Sequence, residues 1–286
     1  MIVFPNCKIN LGLRIIRKRP DGFHDIETVF YPIPFCDVLE IIPVIPEKNA
    51  AAASITIHGR TIFFSTSGIP IQGTPESNLC IKGCAMLFAD FPGIPSFQLH
   101  LHKNIPMGAG LGGGSSDGAY TIKLLNEYFH LGMSLSQLES YAIQLGSDCP
   151  FFLKNSPFIA RGRGEKMETV TLDLSDCSLV LVDPGIHIAT GRAFSKISPS
   201  DKITDIASII SSAPENWKHE LINDFEVPAF NEHPLLEVIK QTLYASGALY
   251  ASMTGSGSVI YGLYRTHQPE IPELPDGCKS WTFNRL

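Results

Sequence analysis

A glycine-rich run in the middle of the chain has the residue types that phosphate binding requires. From Pro106 the sequence reads Pro-Met-Gly-Ala-Gly-Leu-Gly-Gly-Gly-Ser-Ser-Asp, with five glycines among seven consecutive residues. Glycine lets the backbone adopt positive φ and lets N–H groups approach a ligand without a Cβ atom in the way. A helical pattern follows at once, and the start of a helix offers unpaired N–H groups and the positive end of its dipole. The run therefore predicts a phosphate site and, through it, a nucleotide-dependent enzyme.

Other interpretations of this run fit less well. A P-loop requires Lys-Ser/Thr after its last glycine, whereas Ser115 and Ser116 follow Gly114, which excludes a Walker-type ATPase. The spacing Gly-x-Gly-x-x-Gly is present, but a dinucleotide-binding fold also needs an acidic residue about 20 positions later. The tetrapeptide His-Leu-Gly-Met from His130 stands there instead. A flexible linker would not run directly into an amphipathic helix. The hydroxyls of Ser115 and Ser116 suit phosphate oxygens or the ligand shell of Mg²⁺.

Composition limits the class of protein. The 286 residues are 44% hydrophobic and 17% charged, which is enough apolar material for one large domain or two ordinary ones. The net charge of −6 argues against a nucleic-acid partner, which usually requires a basic excess. No apolar run reaches the ~18 residues of a membrane span, and the first residues do not form a signal peptide. Seven scattered cysteines without a matched pair predict buried reduced thiols rather than zinc. These features predict a soluble, cytoplasmic protein without a metal centre of its own side chains.

The hydrophobic patterns alternate between strand and helix without a regular order. Strand patterns cover 2–16, 26–31, 37–44, 54–58, 98–102, 177–183, 248–253, 258–264 and 279–284. Helical patterns cover 78–90, 116–129, 134–145, 201–212 and 232–246, with Asn78 as a candidate N-cap. The absence of a regular β-α alternation favours an α+β fold over a doubly wound sheet. Gly and Pro residues predict a domain boundary near 155–165.

The glycine-rich run resembles the ATP-binding signature of the GHMP kinases, which phosphorylate hydroxyl groups of small molecules. Two further blocks resemble the first and third motifs of that family and occur in the same order, Asn6–Leu11 and Met253–Ser258. The resemblance spans nearly the whole chain. It implies an α+β, two-domain GHMP kinase fold. Residues 1–158 would form a ribosomal-protein-S5-like ATP-binding domain, and residues 159–286 a ferredoxin-like substrate domain.

Four other blocks resemble one branch of this family, which phosphorylates 4-diphosphocytidyl-2-C-methyl-D-erythritol in non-mevalonate isoprenoid biosynthesis. They are Arg19–Thr28, Leu145–Phe152, Pro184–Thr190 and Asn223–Glu226. The resemblance implies ATP-dependent phosphorylation of the 2-hydroxyl of that compound, a cytidine-diphosphate-linked sugar alcohol, with ATP and Mg²⁺ required. Two alternatives stay open. One is another GHMP kinase of the mevalonate or homoserine type, and the other is a non-catalytic nucleotide-binding protein on the same scaffold.

The resemblance also implies a catalytic pair, Lys8 and Asp148. A carboxylate accepts the proton of the attacking hydroxyl, and a nearby ammonium lowers the carboxylate pKa and steadies the transferring group. Asp148 has an alternative role as a helix N-cap, because it stands two residues before Pro150. Lys8 lies in an otherwise apolar strand, where a lysine is costly unless it is paired or faces a cleft. Asn10 shares a strand face with Lys8 and is expected near the substrate hydroxyl.

The remaining expected site residues bind the two substrates. Phe23 and His24 are candidate nucleobase contacts through stacking and hydrogen bonding; relatives often carry tyrosine at position 23, and the alternative is a turn beside a core ring. Gly255 and Gly257 would let the backbone approach the substrate, which is compatible with a hairpin turn. The expected ATP-binding residues are Asn78, Lys103, Pro106, Met107, Gly108, Ala109, Gly110, Leu111, Gly112, Gly113, Gly114, Ser115 and Ser116.

Overall fold

The computed structural model describes residues 1–44, 53–197, 199, 205–265, 269 and 273–286. The strands are β1 (Ile2–Val3), β2 (Asn6–Lys18), β3 (His24–Cys36), β4 (Val38–Pro43), β5 (Ala53–Ile57), β6 (Arg60–Gly68), β7 (Phe97–Lys103), β8 (Phe158–Gly162), β9 (Lys166–Thr169), β10 (Ser178–Asp183), β11 (Tyr250–Met253), β12 (Ile260–Tyr264) and β13 (Lys279–Phe283). The helices are α1 (Leu79–Asp90), α2 (Gly113–Tyr128), α3 (Leu135–Leu145), α4 (Cys149–Lys154), α5 (Thr190–Ser195), α6 (Ile206–Ile210), α7 (Glu226–Glu232) and α8 (Pro234–Ala245). Among the residues so described, no helix is long and apolar enough to cross a membrane.

The chain divides into two compact units whose segments interleave along the sequence. Unit 1 contains Met1–Cys7, Phe35–Met107 and Gly112–Asn155, and unit 2 contains Lys8–Pro34, Gly108–Leu111 and Ser156–Leu286. The last segment of unit 2 begins close to the predicted boundary after residue 158. Most of β2, most of β3 and part of the glycine-rich run, however, belong to unit 2. The family-based boundary itself stays a prediction.

Unit 1 is built on a five-stranded sheet in the order β1-β4-β7-β6-β5. Its central strand shows why the sequence forms this layer, because side chains alternate between the two faces of a strand. Phe97, Leu99 and Leu101 are fully buried on one face. His100 and His102 lie on the other face, where both bond to Ser67. The alternation Gln-Leu-His-Leu-His thus places one face of the sheet in the core.

Helices α1 and α2 pack closely in the same unit because glycine lies at their contact. A Cβ atom built on Gly118 would lie 2.9 Å from the Cβ of Leu79. That distance is shorter than side chains tolerate, so a larger residue would force the helices apart. The predicted N-cap of α1 is confirmed, since Asn78 accepts a hydrogen bond from the backbone N–H of Cys80 at 2.8 Å.

Unit 2 contains two four-stranded sheets, β2-β3-β8-β9 and β11-β12-β10-β13. The apolar run predicted as a buried strand is β10, and its residues Leu179 to Val182 are fully buried. Helix α8 packs its apolar side on this second sheet through Leu236, Ile239 and Leu243. The core therefore lies between α8 and the sheet.

Two helices begin at a proline or a glycine instead of at the predicted residue. The helix predicted over 232–246 begins at Pro234, because proline fits the first turn but cannot continue the preceding helix α7. The helix predicted over 116–129 begins earlier, at Gly113, directly after the loop. The helix predicted over 201–212 is the short α6, and residues 201–204 of that prediction lie outside the described residues.

Candidate active site

The glycine-rich loop has the backbone conformation that its sequence predicts. Gly108, Gly110 and Gly112 have φ angles of 66°, 81° and 72°, which side-chain-bearing residues rarely adopt. Gly112 is the N-cap of the 16-residue helix α2. A Cβ atom added at Gly114 would meet no atom within 4 Å, so the first turn of α2 is open at that residue. Unpaired N–H groups and the helix dipole make this turn suitable for a phosphate group.

Lys8 is held against this loop within unit 2. Its backbone N–H donates to the carbonyl oxygen of Leu111 at 3.0 Å, and its Nζ donates to the carbonyl oxygen of Gly110 at 2.8 Å. The same ammonium donates to Oδ1 of Asn10 and lies 5.1 Å from the ring centroid of Phe30. Lys8 is only 4% exposed. The predicted neighbourhood of Lys8 and Asn10 is confirmed, and the ammonium is paired as its buried position requires.

The third glycine-containing block contacts the same place. The backbone N–H of Asn10 donates to Oγ1 of Thr254 at 3.0 Å, and this hydroxyl donates to the carbonyl oxygen of Gly110 at 3.2 Å. A Cβ atom built on Gly255 would lie 3.0 Å from the Cα of Gly110. Gly257 is placed differently, since a Cβ atom there would lie 2.7 Å from Sδ of Met253. Three sequence blocks that lie far apart in the chain thus converge on Lys8.

Asp148 belongs to unit 1 and occupies the N-cap position of α4. Its carboxylate accepts no capping hydrogen bond from that helix, so the cap alternative describes its position but not its side chain. Ser147 donates to its Oδ1 at 3.4 Å. The next residue, Cys149, connects this turn to the start of α2 through a hydrogen bond between its thiol and the Ser115 side chain. Burial raises the pKa of the Cys149 thiol to about 12, and the bond with Ser115 offsets part of that rise. Lys8 belongs to unit 2 and Asp148 to unit 1. The catalytic pairing of Lys8 with Asp148 therefore stays a prediction.

Lys103 lies in a buried ionic group beneath the start of α2. Its ammonium is 2.7 Å from Oδ2 of Asp117 and also contacts Asp37. Oδ1 of Asp37 accepts the backbone N–H groups of Asn104 and Ile105 at 2.7 and 3.0 Å. Burial lowers the pKa of Lys103, but the two carboxylates outweigh it, so the pKa rises. Burial also raises the pKa of Asp117 to about 7. These ion pairs and hydrogen bonds fix the backbone just before the glycine-rich loop. A direct contact of Lys103 with ATP stays a prediction.

Asn78 lies beside a cavity of unit 1. The cavity has a volume of about 280 Å³ and is also lined by Ser65, Thr66, Ile71 and Thr74. Because the side chain of Asn78 already caps α1, only part of its hydrogen-bonding capacity is used. Its predicted role at ATP stays a prediction.

Phe23 and His24 are adjacent in sequence but differ in burial. Phe23 is 54% exposed and His24 only 9%. The His24 imidazole stacks on the ring of Phe194, with centroids 5.0 Å apart and planes 21° from parallel. Burial lowers the pKa of His24, and the charge of Lys18 lowers it further, so the neutral form of the imidazole is favoured at pH 7. An imidazole stacked on the half-buried ring of Phe194 can hydrogen-bond a planar base, and the exposed Phe23 ring can stack on one.

Comparison with known proteins decides the family. The model for the GHMP kinase N-terminal domain matches residues 78–155, and the GHMP kinase C-terminal model matches residues 202–272. A curated 4-diphosphocytidyl-2-C-methyl-D-erythritol kinase from Parabacteroides distasonis is 44% identical over 98% of both chains. One from Bacteroides thetaiotaomicron is 45% identical over 99% of this chain and 98% of its own. The chain belongs to the 4-diphosphocytidyl-2-C-methyl-D-erythritol kinase family of GHMP kinases.

Solved structures agree with this family at the level of the fold. The crystal structure of a 4-(cytidine 5'-diphospho)-2C-methyl-D-erythritol kinase matches with a TM-score of 0.77 and 26% identity, covering 99% of this chain and 98% of the other. A mevalonate kinase from Methanococcus jannaschii matches with a TM-score of 0.67 at 14% identity, covering 92% of this chain and 90% of its own, and shares the fold alone. The predicted α+β, two-domain GHMP kinase fold is confirmed.

The residues of this GHMP kinase offer hard oxygen ligands at the start of α2. The described residues contain no group of three or more His, Cys, Asp or Glu side chains able to hold a metal ion. The Oγ of Ser116, however, is buried and has no hydrogen-bond partner within the described ranges, so its lone pairs are unused. Hydroxyl and phosphate oxygens are the ligand type that Mg²⁺ prefers. The unused oxygen of Ser116 therefore fits a Mg²⁺ ion that is held mainly by ATP phosphates.

Sequence reasoning missed three residues that support the site of this kinase. Thr254 bridges Asn10 and Gly110, and Asn223 donates to the carbonyl oxygens of Met253 and Gly255 at 2.7 and 2.9 Å. Both lie in blocks noted for their resemblance, so the signal was present but their contacts were not foreseeable. Phe194 had no signal of its own, because an aromatic residue in a short helix is usually a core residue.

Replacing Gly110 with alanine is expected to destabilise unit 2 strongly. The added Cβ would lie 2.0 Å from the carbonyl oxygen of Thr254, at a φ that alanine disfavours. Gly185→Ala is the matched control, because Gly185 has a φ of 70° and no atom within 4 Å of its added Cβ. We expect Gly110→Ala to cost about 1–3 kcal/mol more than Gly185→Ala in the free energy of unfolding, measured in urea. Equal values for the two variants would contradict the close packing of the loop.

Proposed function

We propose that this GHMP kinase transfers the γ-phosphoryl group of ATP to the 2-hydroxyl of 4-diphosphocytidyl-2-C-methyl-D-erythritol, giving the 2-phosphate and ADP. This step belongs to non-mevalonate isoprenoid precursor biosynthesis. The observation that carries the proposal is the near-full-length similarity to curated kinases of that name. The neutral His24 imidazole and the exposed Phe23 ring support it, because they suit a pyrimidine base.

The proposed reaction is a direct in-line transfer without a phosphoenzyme. The oxygen of the substrate hydroxyl forms a bond to the γ-phosphorus while the bond from that phosphorus to the β–γ bridging oxygen breaks, and ADP leaves. The hydroxyl proton passes to the carboxylate of Asp148 and then to solvent. The N–H groups at the start of α2 hold the phosphates, and the ammonium of Lys8 offsets the developing negative charge. When bound, Mg²⁺ would neutralise phosphate charge, with Ser115 and Ser116 holding it.

Lys8 is suited to this role by its surroundings. Its charge stays fixed because two oxygens and an aromatic face hold it in one position. A preorganised charge stabilises a transition state without the cost of reorienting solvent. Asn10 then fixes the direction of the Lys8 side chain and itself donates to Oγ1 of Thr28 at 3.0 Å. We also propose a cytoplasmic location, which the seven free cysteines support.

The test is an ADP-release assay with Mg²⁺ and ATP over a panel of acceptors. The panel contains 4-diphosphocytidyl-2-C-methyl-D-erythritol, mevalonate, homoserine and galactose. Turnover with the cytidine compound alone is the expected result. Turnover with another alcohol would keep a GHMP kinase and reject the proposed acceptor. ATP binding without turnover of any acceptor would favour a nucleotide-binding protein that has lost catalysis.

A further inference from the structure

A short turn of unit 2, residues 222–226, is bonded to strand β2. The backbone N–H of Leu13 donates to the carbonyl oxygen of Ile222 at 3.0 Å, and the N–H of Asp224 donates back to the carbonyl oxygen of Leu13 at 2.8 Å. Oδ2 of Asp224 accepts the backbone N–H of Ile15 at 2.7 Å. These hydrogen bonds fix the 222–226 turn against the strand that carries the proposed catalytic lysine.

The same turn holds the end of β11 with two side chains. Strand β11 stands at one end of the strand order of its sheet. The backbone N–H of Met253 donates to Oε1 of Glu226 at 2.9 Å, and Nδ2 of Asn223 donates to the carbonyl oxygen of Met253 at 2.7 Å. Nδ2 also donates to the carbonyl oxygen of Gly255 at 2.9 Å. The amide of Asn223 therefore holds the backbone where it enters the third glycine-containing block.

The side chain of Asn223 is fully buried and uses both ends of its amide. Its Oδ1 accepts the backbone N–H of Phe225 at 3.0 Å, which fixes the direction in which the amide points. An amide offers two N–H donors and an acceptor oxygen from one planar group, whereas a carboxylate offers acceptors only. An aspartate at this position would therefore turn an oxygen toward two carbonyl oxygens.

The backbone that Asn223 holds lies against the acceptor of Lys8. A Cβ atom built on Gly255 would lie 3.0 Å from the Cα of Gly110, so the two chains have no space between them. The hydroxyl of Thr254 donates to the carbonyl oxygen of Gly110 at 3.2 Å. The same oxygen accepts from Nζ of Lys8 at 2.8 Å. All of these residues belong to unit 2, so direct contacts connect Asn223 with the ammonium.

We propose that Asn223 is a positioning residue of the phosphoryl transfer, which acts on Lys8 through the backbone that its amide binds. This inference rests on the proposed function for the catalytic role of Lys8. The 222–226 turn is bonded to β2 on one side and to the end of β11 on the other, so it sets the spacing between Lys8 and the chain packed on its acceptor. A misplacement of about 1 Å can lower a rate about a hundredfold.

The test is a double-mutant cycle of Asn223→Asp and Lys8→Met, with kcat measured per folded molecule. Asn223→Asp keeps the size of the side chain and its acceptor oxygen but removes both N–H donors. We expect it to lower kcat about tenfold in the wild-type background. In the Lys8→Met background it should change kcat by less than about twofold, because the group that Asn223 positions is already absent. A general loss of structure would lower kcat by the same factor in both backgrounds.

Tyr264→Phe is the control for stability. Tyr264 is buried, and its hydroxyl lies 2.8 Å from Oγ of Ser246, at the end of β12 that is far from the third glycine-containing block. We expect this variant to lower the urea concentration at the midpoint of unfolding and to keep the wild-type kcat. Asn223→Ala, which removes the donors without adding a charge, is measured in parallel and should give the same cycle as Asn223→Asp.

The position of Lys8 can also be observed without turnover. An ammonium held by hydrogen bonds exchanges its protons slowly enough to give a nuclear magnetic resonance signal in protein with isotope-labelled lysine. The signal of Lys8 is identified by its loss in Lys8→Met. We expect it in the wild type and in Tyr264→Phe, and we expect it to shift or disappear in Asn223→Asp.

Three outcomes would overturn the inference: a wild-type kcat in Asn223→Asp, an equal loss of kcat in both backgrounds, or a Lys8 signal that Asn223→Asp leaves unchanged. The two proposals fail separately. A wild type that phosphorylates none of the acceptors rejects the proposed function, while the Lys8 signal still tests the inference. A wild type that phosphorylates the cytidine compound no faster than Asn223→Asp does rejects the inference alone.

Discussion

Replacing Asp148 with asparagine is expected to lower kcat about a thousandfold, which equals about 4 kcal/mol of activation free energy. Asparagine keeps the size of the side chain but cannot accept the proton of the attacking hydroxyl. The affinity for ATP should stay close to that of the wild type, because the carboxylate is not part of the glycine-rich loop. Stability should change little as well, since Oδ1 of an asparagine can still accept the hydrogen bond from Ser147. Steady-state ADP release and direct titration with ATP measure the two quantities.

The control for this experiment is Asp176→Asn. Asp176 is exposed in the loop before β10, so this variant removes the same charge from a position outside the site. We expect it to keep full activity. Full activity in Asp148→Asn would remove Asp148 from the chemistry. A loss of ATP binding together with turnover would instead show that its carboxylate supports the nucleotide site.

Replacing Lys8 with methionine is expected to lower kcat several hundredfold. Methionine fills the space of the lysine stem but removes the charge that Asn10 and Gly110 hold in place. Because it also removes one donor to Oδ1 of Asn10 and one to the carbonyl oxygen of Gly110, the free energy of unfolding should fall by about 1–3 kcal/mol. Activity must therefore be measured below the unfolding transition and per folded molecule, with the folded fraction taken from circular dichroism.

Two companion variants define what the Lys8 result means. Lys8→Arg keeps the charge but not the compact ammonium geometry, and it should retain more activity than Lys8→Met. Lys123→Met removes a lysine that lies over the ring of Tyr120 on α2. The kcat of this variant should equal that of the wild type. If Lys8→Met kept its kcat and lost only stability, Lys8 would be a structural residue that ties β2 to the loop.

Local signals in the sequence were sufficient to predict the backbone conformation of the glycine-rich loop and the N-cap of α1. The glycines that adopt positive φ and the Asn78 cap depend on residues within a few positions of each other. Such features follow from backbone sterics and unpaired N–H groups, which do not require the rest of the fold. The resemblance then supplied the identity of Lys8 and Asn10, whose proximity is confirmed.

The contacts that hold the site together could not be predicted in this way. The Lys8 ammonium bonds to a carbonyl 102 positions later, and Asn10 bonds to a hydroxyl 244 positions later. No local sequence pattern predicts which distant backbone carbonyl accepts the hydrogen bond of a buried lysine. The partners of Lys103 were hidden for a related reason, because Asp37 follows a strand without any sign that its carboxylate is buried. Phe194 likewise acquires its role only by stacking on a residue 170 positions earlier.

The interleaved composition of unit 2 has a consequence for how the chain is made. The carbonyl of Asn10 accepts its hydrogen bond from Tyr261, 251 residues later, and Leu13 forms a parallel bridge with Asn223. The ribosome synthesises β2 early, whereas its partners Asn223 and Tyr261 are synthesised more than 200 residues later. Until then β2 cannot form these contacts. Contacts with such large sequence separation form slowly, and exposed apolar strands attract chaperones meanwhile. Unit 2 is therefore completed only once its C-terminal strands are made, whereas α1, α2 and β7 of unit 1 need no residue beyond Tyr128 to pair with one another.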